Sequence, residues 1–201
     1  MREEILRLTG EHVVLVLIAM SFAAAIGIPL GITLVRWEGG RRWVLGFASV
    51  MQTVPSLALF GFLIPLPFVG GIGKRTAIVA LVLYALLPIL RNTLTGILGV
   101  DAAVRESAVA MGMTRWQVLC DVELPLASRT ILAGIRVATV TTVGTATIAA
   151  AIGAGGLGVL IFRGLASVNA QQILAGAAPA AVLALLADGA LGWIERRVSP
   201  Y

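Results

Sequence analysis

Charged residues are scarce in this sequence of 201 residues: Asp, Glu, Lys and Arg together make up 12% of it, whereas hydrophobic residues make up 59%. The mean hydropathy of +0.99 is too high for a chain whose surface is covered by water. The composition therefore excludes an ordinary soluble domain and predicts a protein whose main solvent is lipid.

Cysteine and histidine are almost absent, with Cys120 and His12 as the single examples. One cysteine excludes an internal disulfide, and one histidine without neighbouring ligands does not predict a metal site. No convergent set of His, Cys or carboxylate residues suggests catalytic groups, so a membrane enzyme is disfavoured. We expect both residues to have ordinary packing or interface roles.

Long apolar runs are abundant instead. A membrane-spanning helix needs about 20 mostly apolar residues, because the hydrocarbon core is about 30 Å thick and each helical residue rises about 1.5 Å. Five runs meet this requirement, at about residues 12–35, 44–66, 76–98, 130–152 and 172–194. The sequence predicts an all-α integral membrane protein with five transmembrane helices, in which residues 1–201 form a single transmembrane domain.

The first apolar run is expected to be a retained helix and not a cleaved signal peptide. Its apolar core is too long for a signal, and the segment before it carries acidic as well as basic residues. Gly27, Pro29 and Gly31 lie within this run and favour a bend in the helix.

The distribution of Lys and Arg predicts the orientation, since positively charged loops stay in the cytoplasm. One set of loops and ends is the richer in these residues, with Arg36, Arg41, Arg42, Arg105, Arg115, Arg129, Arg196 and Arg197. The other set holds Arg2, Arg7, Lys74, Arg75 and Arg163. We expect the N-terminus outside and the C-terminus in the cytoplasm. The net charge of +5 then reflects topology and gives little support to nucleic-acid binding.

Two glycine-rich segments look like nucleotide-binding motifs, and neither meets the requirements of one. Residues 153–158, GAGGLG, follow a predicted membrane helix, and no acidic residue appears before Asp188. Residues 70–76, GGIGKRT, have Arg75 where a phosphate-binding loop needs Ser or Thr after Lys74. We expect a close-packed bend or re-entrant turn at residues 153–158 and no nucleotide site on this chain.

Three charged residues, Arg91, Arg136 and Asp188, lie near or inside the predicted membrane helices. A charge at the bilayer centre costs at least about 2.5–3.5 kcal/mol, so such residues usually pair, snorkel or face an aqueous cavity. Arg136 and Asp188 both fall near the predicted cytoplasmic ends of their helices. A structural role, by snorkelling or by pairing with each other, is favoured over a place along a polar passage.

The segment between the third and fourth predicted helices is charged, unlike its neighbours. Asp101 is a suitable N-cap for a first short helix, and Gly112 can end that helix with a positive φ. Thr114 and Gln117 have the spacing of a capping box for a second helix, and Pro125 is expected to mark the turn toward the next span. Both helices are amphipathic, which predicts that they lie on the bilayer interface or in a groove of a partner.

This segment resembles the EAA loop of the permease subunits of ABC importers, written E-A-A-x3-G-x9-I-x-L-P. The matching residues keep the spacing of that motif: Glu106, Ser107, Ala108, Gly112, Val122, Leu124 and Pro125. Ser107 in place of Ala and Val122 in place of Ile are the departures. Four other stretches look like permeases of osmoprotectant importers, which carry glycine betaine, choline, carnitine or proline betaine: residues 52–66, 78–97, 144–165 and 183–200.

The resemblance implies the ABC importer permease fold, with a coupling loop at about residues 101–127 that sits in a cleft of a separate ATPase. Glu106 would make polar contacts at the ATPase surface or cap the loop, and Gly112 would form the turn or serve stability alone. Leu124 and Pro125 would anchor the exit into the fourth span. Trp116 is also expected to take part in coupling to the ATPase. ATP and Mg²⁺ would bind the partner, and no cofactor is expected on this chain.

The resemblance also implies partners in the inner, or cytoplasmic, membrane. These are a dimer of ABC ATPase subunits, a second permease copy of the same or a related sequence, membrane lipid and an extracytoplasmic binding protein. Aromatic residues make up only 6% of the chain and are scattered. They do not predict the aromatic cage that best holds a quaternary ammonium group, which fits a system in which the binding protein selects the solute.

Polar residues inside the predicted spans are candidates for lining the translocation path, namely Gln52, Thr53, Ser56, Asn92, Thr141 and Thr145. The alternative is that such side chains bond their own backbone or a neighbouring helix. Two alternatives for the function stay open: a permease for methionine or another small solute, and an ATP-independent secondary transporter or channel.

Overall fold

A computed structural model describes residues 2–198, and over that range the chain is helical with short connections and no strand. The helices are α1 (Arg2–Arg36), α2 (Glu38–Thr53), α3 (Ser56–Leu63), α4 (Lys74–Leu98), α5 (Ala102–Ala110), α6 (Arg115–Gln117), α7 (Leu124–Ile148), α8 (Gly158–Ala166) and α9 (Ala170–Val198). A π-helical segment, Val118–Glu123, joins α6 to α7, and a 3-10 turn, Ala149–Ile152, follows α7. The all-α prediction is confirmed.

Within the described residues, four stretches are long and apolar enough to cross a membrane: α1, α4, α9 and the continuous helical stretch Arg115–Ile152. The second predicted span corresponds to α2 and α3, which are bent by 107° relative to each other and can count together as a fifth. The break follows from Pro55, because proline forces the residue before it out of the helical region. Val54 is accordingly extended, with ψ 128°, and its carbonyl accepts a hydrogen bond from the Tyr84 hydroxyl.

Helix α1 packs closely along α4 through two of its glycines. A Cβ atom on Gly27 would lie 2.8 Å from the Ile89 side chain, and one on Gly31 would lie 2.8 Å from Thr93. Small residues of this kind let two membrane helices approach backbone to backbone. The helix runs without interruption from Arg2 to Arg36 although Pro29 lies inside it. Gly27 and Gly31, which the sequence analysis associated with a bend, are therefore packing positions against α4.

Helix α4 lies at the centre of the fold and α9 at its edge. The most apolar stretch of α4 has half of its residues buried, against 11% for α9. Helix α4 contacts α1, α2, α3 and α7, whereas α9 contacts mainly α7 and α8. The main core therefore forms around α4, and α9 has most of its surface available to lipid or to other chains.

Candidate functional site

The α4–α7 connection, residues 99–123, begins with the first short helix that the sequence predicts. The Asp101 carboxylate accepts a hydrogen bond of 2.9 Å from the amide of Ala103 and caps α5. Helix α5 ends at Ala110, and Gly112 follows with φ +83°. Both the N-cap and the left-handed glycine turn are confirmed.

The second helix starts at the predicted capping box. The amide of Thr114 donates to the Gln117 side chain at 2.8 Å, and the amide of Gln117 donates to the Thr114 hydroxyl at 3.4 Å. These two bonds satisfy amide groups that a helix start leaves without partners. The two halves of the connection are therefore both capped by their own side chains.

The prediction of a turn at Pro125 is wrong. Pro125 lies in the first turn of α7, and helical structure continues through it from Arg115 to Ile152. Proline inside an α-helix removes one amide donor and its ring collides with the carbonyl four residues earlier. The wider π-helical segment that ends at Glu123 precedes it, and such segments relieve this kind of conflict without ending a helix.

The predicted coupling residues divide between the surface and the interior of the chain. Ala108 is buried, Val122 and Leu124 are half-buried, and the others are exposed, namely Glu106, Ser107, Gly112, Trp116 and Pro125. Trp116 has 72% of its surface exposed and Met111 has 76%. Exposed apolar residues of this size on a capped segment form a surface suited to a protein partner.

Two charged residues of the connection, Arg105 and Glu123, were not among the predicted coupling residues. The Arg105 guanidinium lies 2.9 Å from the Glu123 carboxylate and also donates to the carbonyl of Ile97 at the end of α4. Glu123 is 9% exposed. The one signal in the sequence was a pair of opposite charges at the two ends of the segment, and their contact depends on how α5 folds back.

The candidate path residues lie on four helices, α2, α3, α4 and α7. Gln52, Thr53 and Thr141 are exposed, and Ser56, Asn92 and Thr145 are half-buried. Exposed residues follow one another along α7 at helical spacing, at Val137, Thr141 and Gly144. This gives α7 an open face that carries a threonine hydroxyl.

Several of these polar side chains also bond to backbone carbonyls. Asn92 donates to Pro88 at 2.8 Å, Thr141 donates to Val137 at 2.9 Å, and Thr145 donates to Thr141 at 2.9 Å. Thr53 bonds the carbonyl of Val50, whereas Gln52 reaches Tyr84 on α4. Self-bonded hydroxyls of this kind suit a helix in lipid as well as one beside a passage.

Arg136 and Asp188 pair with each other, which is one of the two structural roles that the sequence left open, and they join α7 to α9. The guanidinium makes two bonds to the carboxylate, at 2.6 and 2.7 Å. Glu195 lies 3.4 Å from Arg136 and 3.8 Å from Arg129. This bidentate geometry is among the strongest that a guanidinium and a carboxylate adopt, and it anchors the peripheral helix α9.

The glycine turn, residues 153–158, follows the C-terminal end of α7, opposite the α4–α7 connection. It is the close-packed bend that the sequence predicts. Gly153, Gly155 and Gly156 have positive φ, and a Cβ atom on Gly158 would lie 1.8 Å from the carbonyl oxygen of Thr147. The turn leads into α8, a short helix that the sequence analysis missed. Among residues 2–198 there is no group of three or more His, Cys, Asp or Glu side chains placed to hold a metal ion.

Comparison with known proteins identifies the family. Residues 13–200 match the family described as binding-protein-dependent transport system inner membrane component. The chain is 48% identical over 191 residues to the carnitine transport permease protein OpuCD of Listeria monocytogenes, covering 94% of this chain and 84% of that one. It is 47% identical over 197 residues to the glycine betaine/carnitine/choline transport system permease protein OpuCB of Bacillus subtilis, covering 98% and 89%.

A third relative, the osmoprotectant import permease protein OsmW of Salmonella typhimurium, is 43% identical over 96% of this chain and 91% of its own length. The fold also matches an inward-facing structure of the MetNI methionine ABC transporter, with a TM-score of 0.88 and 25% identity over 98% of this chain and 97% of that one. The chain therefore belongs to the family of inner membrane components of binding-protein-dependent transport systems, and it is a permease subunit of an ABC importer.

Proposed function

We propose that this permease imports osmoprotectants of the quaternary ammonium class, such as glycine betaine, carnitine or choline. The observation that carries this proposal is the identity of 43–48% to permeases named for those solutes, against 25% to the methionine transporter of the same fold. Methionine import is therefore the alternative that a transport assay must address.

In this proposal the α4–α7 connection couples transport to ATP hydrolysis on the partner. Glu106, Met111 and Trp116 are exposed there on a segment held by two sets of caps. A capped segment transmits a displacement that a flexible loop would absorb. We infer that this surface binds a separate ATPase, present as a dimer and carrying ATP and Mg²⁺, and that the connection faces the cytoplasm with the N-terminus outside.

The path requires a second permease copy, of this or a related sequence. The open face of α7, with Val137, Thr141 and Gly144 exposed, has no counterpart among residues 2–198 that would enclose a solute. The candidates for lining the completed path are Gln52, Thr53, Ser56, Asn92, Thr141 and Thr145. An extracytoplasmic binding protein supplies the selectivity, in keeping with the scattered aromatic residues.

Reconstitution tests the proposal directly. The chain is placed in proteoliposomes with its candidate ATPase and binding protein, and ATP-dependent uptake of labelled glycine betaine, carnitine, choline and methionine is measured. We expect uptake of at least one quaternary ammonium solute with ATP, no uptake without ATP, and loss of uptake in Glu106→Lys and Gly112→Asp. Uptake that continues without ATP or the ATPase refutes the coupled mechanism, and uptake of methionine alone refutes the substrate class.

Cysteine labelling tests the path at adjacent positions of α7. With Cys120 replaced by Ser, Thr141→Cys is compared with Thr142→Cys, because Thr142 is 1% exposed and faces the Met20 sulfur. We expect a membrane-impermeant thiol reagent to label position 141 in at least one nucleotide state and position 142 in none. A position 141 that stays unlabelled in every state does not line the path.

A further inference from the structure

Arg105 connects three parts of the chain that are far apart in the sequence. It lies on α5, its guanidinium is 2.9 Å from the Glu123 carboxylate, and it also donates to the carbonyl of Ile97. Ile97 belongs to the last turn of α4, and Glu123 is the final residue of the π-helical segment that leads into α7. One side chain therefore contacts the exit of one membrane helix and the entry of the next.

The pair is largely shielded from water. The side chains of Arg105 and Glu123 are 28% and 12% exposed. A carboxylate at this depth is stabilised mainly by the guanidinium beside it, because removing one partner of a buried pair leaves the other charge uncompensated. Opposite charges 2.9 Å apart also attract each other more strongly where water is partly excluded. The contact is therefore a firm connection between α5 and the start of α7.

Apolar packing near this contact is incomplete. A groove of about 490 Å³ lies among the end of α4, the α4–α7 connection and the first turns of α7, and Gly99, Val104 and Leu126 are among its lining residues. Val104 of α5 and Leu126 of α7 therefore both border an open groove on that side. The ionic contact adds a connection beside it.

We propose that Arg105 and Glu123 are the positioning residues that transmit displacement of the α4–α7 connection to α4 and α7. This inference rests on the proposed coupling to an ATPase. The exposed part of the connection binds the partner, and the Arg105–Glu123 contact passes the movement inward. The π-helical segment ends at Glu123, and such segments are weaker points of a helix, so a firm contact there keeps the segment from absorbing the movement.

The guanidinium group suits this role better than an ammonium group would. Its positive charge is spread over a planar fork, so one nitrogen donates to the Ile97 carbonyl while another lies 2.9 Å from the Glu123 carboxylate. In Arg105→Lys the positive charge remains, but a single ammonium group must serve both acceptors. We therefore expect that variant to be intermediate between the parent and a charge reversal.

The first test measures coupling in the reconstituted complex. The variants are Arg105→Glu, Glu123→Arg and the exchange of both, with Asp121→Arg as the matched control because Asp121 is exposed on the same segment. We expect each single reversal to lower the amount of solute transported per ATP hydrolysed by about fivefold or more and to lower thermal stability, because it brings like charges together in a shielded place, while ATPase binding changes little. The exchange should restore about half of the lost ratio, since Glu at position 105 cannot donate to the Ile97 carbonyl.

The second test needs neither substrate nor ATPase, so it separates this inference from the proposed function. Spin labels are placed at Ala103 on α5 and Val137 on α7, both exposed, in the Cys120→Ser background in lipid nanodiscs. We expect one narrow distance distribution in the parent and in Asp121→Arg, and broader ones in both single reversals. Narrow distributions in the reversed variants overturn the proposal.

Three further results also overturn it: an unchanged coupling ratio in the single reversals, no recovery in the exchange, or a loss of uptake that only matches the loss of folded, ATPase-bound permease. The last result would assign the pair a structural role alone. If the unmodified complex shows no ATP-driven uptake, the proposed function fails, and the distance measurement still decides whether the pair fixes α5 to α7.

Discussion

The two ends of α7 continue into connections that change the direction of the chain by different means. At one end, the α4–α7 connection is shaped by side chains: Asp101 caps α5, Thr114 and Gln117 cap α6, and Arg105 reaches across the connection to Glu123. At the other end, the glycine turn is shaped by the backbone, with three glycines at positive φ. The first arrangement holds its shape while leaving apolar side chains exposed to a partner.

The glycine turn instead packs against its own chain. The amide of Gly156 donates to the Glu11 carboxylate at 3.2 Å, and Gly158 has no room for a Cβ atom. His12, which is fully buried, lies against Gly156 and within 3.1 Å of the Val143 carbonyl. The packing role expected of His12 is thus the one that the structure shows. A connection with this much internal contact is suited to hold α1, α7 and α8 together.

The largest effect is expected where a side chain is added to the glycine turn. Gly158→Ala places a methyl group against the backbone carbonyl of Thr147, and we expect a loss of about 3 kcal/mol in the free energy of unfolding, measured as a lower melting temperature in detergent. Gly144→Ala is the control, because a Cβ atom there has nothing within 4 Å and alanine favours the helix. Equal losses in both variants would contradict the steric explanation.

The next effect should appear in binding and not in folding. Trp116→Ala removes an exposed aromatic side chain from the α4–α7 connection, and we expect affinity for the ATPase to fall by about 2 kcal/mol, or roughly 30-fold. The melting temperature of the permease alone should stay the same. Trp43→Ala is the matched control, since Trp43 is 79% exposed on α2. A similar loss of affinity in both variants would show that Trp116 has no specific role.

A smaller loss of stability is expected at Gly112, where a side chain is strained by the backbone conformation and not by a steric clash. Gly112 has φ +83° and nothing within 4 Å of a Cβ atom, so Gly112→Ala meets only the penalty of the left-handed conformation, about 1–2 kcal/mol. Gly112→Asn should cost less, because asparagine tolerates this region better. Thermal unfolding of the three proteins measures the order, and a larger loss for asparagine than for alanine would refute this explanation.

The smallest effect concerns a single cap. Thr114→Ala removes the hydroxyl that accepts from the Gln117 amide, and we expect a loss of about 1 kcal/mol, visible as faster hydrogen exchange in α6 and the π-helical segment. The Ser107 hydroxyl bonds the Ala103 carbonyl within its own helix, so Ser107→Ala should change stability by less than about 0.5 kcal/mol. If Ser107→Ala destabilises the connection more than Thr114→Ala, the capping argument is wrong.

Local features were predictable because they depend on neighbouring residues. The caps at Asp101 and Thr114 and the turn at Gly112 each involve residues at most three positions apart. A structural role for Arg136 and Asp188 was also predictable, since charges in lipid pair, snorkel or face water, but the choice of pairing over snorkelling was left to the structure. Helix α8 was missed because it is nine residues long and directly follows a glycine-rich segment.

The sequence by itself determined the solvent of this protein, the number of apolar segments and the capped character of the α4–α7 connection. Hydrophobicity and capping act over single helices and short spacings, so composition and order suffice for them. Only the tertiary structure decided that helical structure continues through Pro125, that α2 and α3 diverge by 107°, and that Arg105 contacts both Ile97 and Glu123. Those outcomes depend on which distant segments meet in the fold. The sequence order alone does not say which groups lie beside a proline, a helix break or a shielded charge.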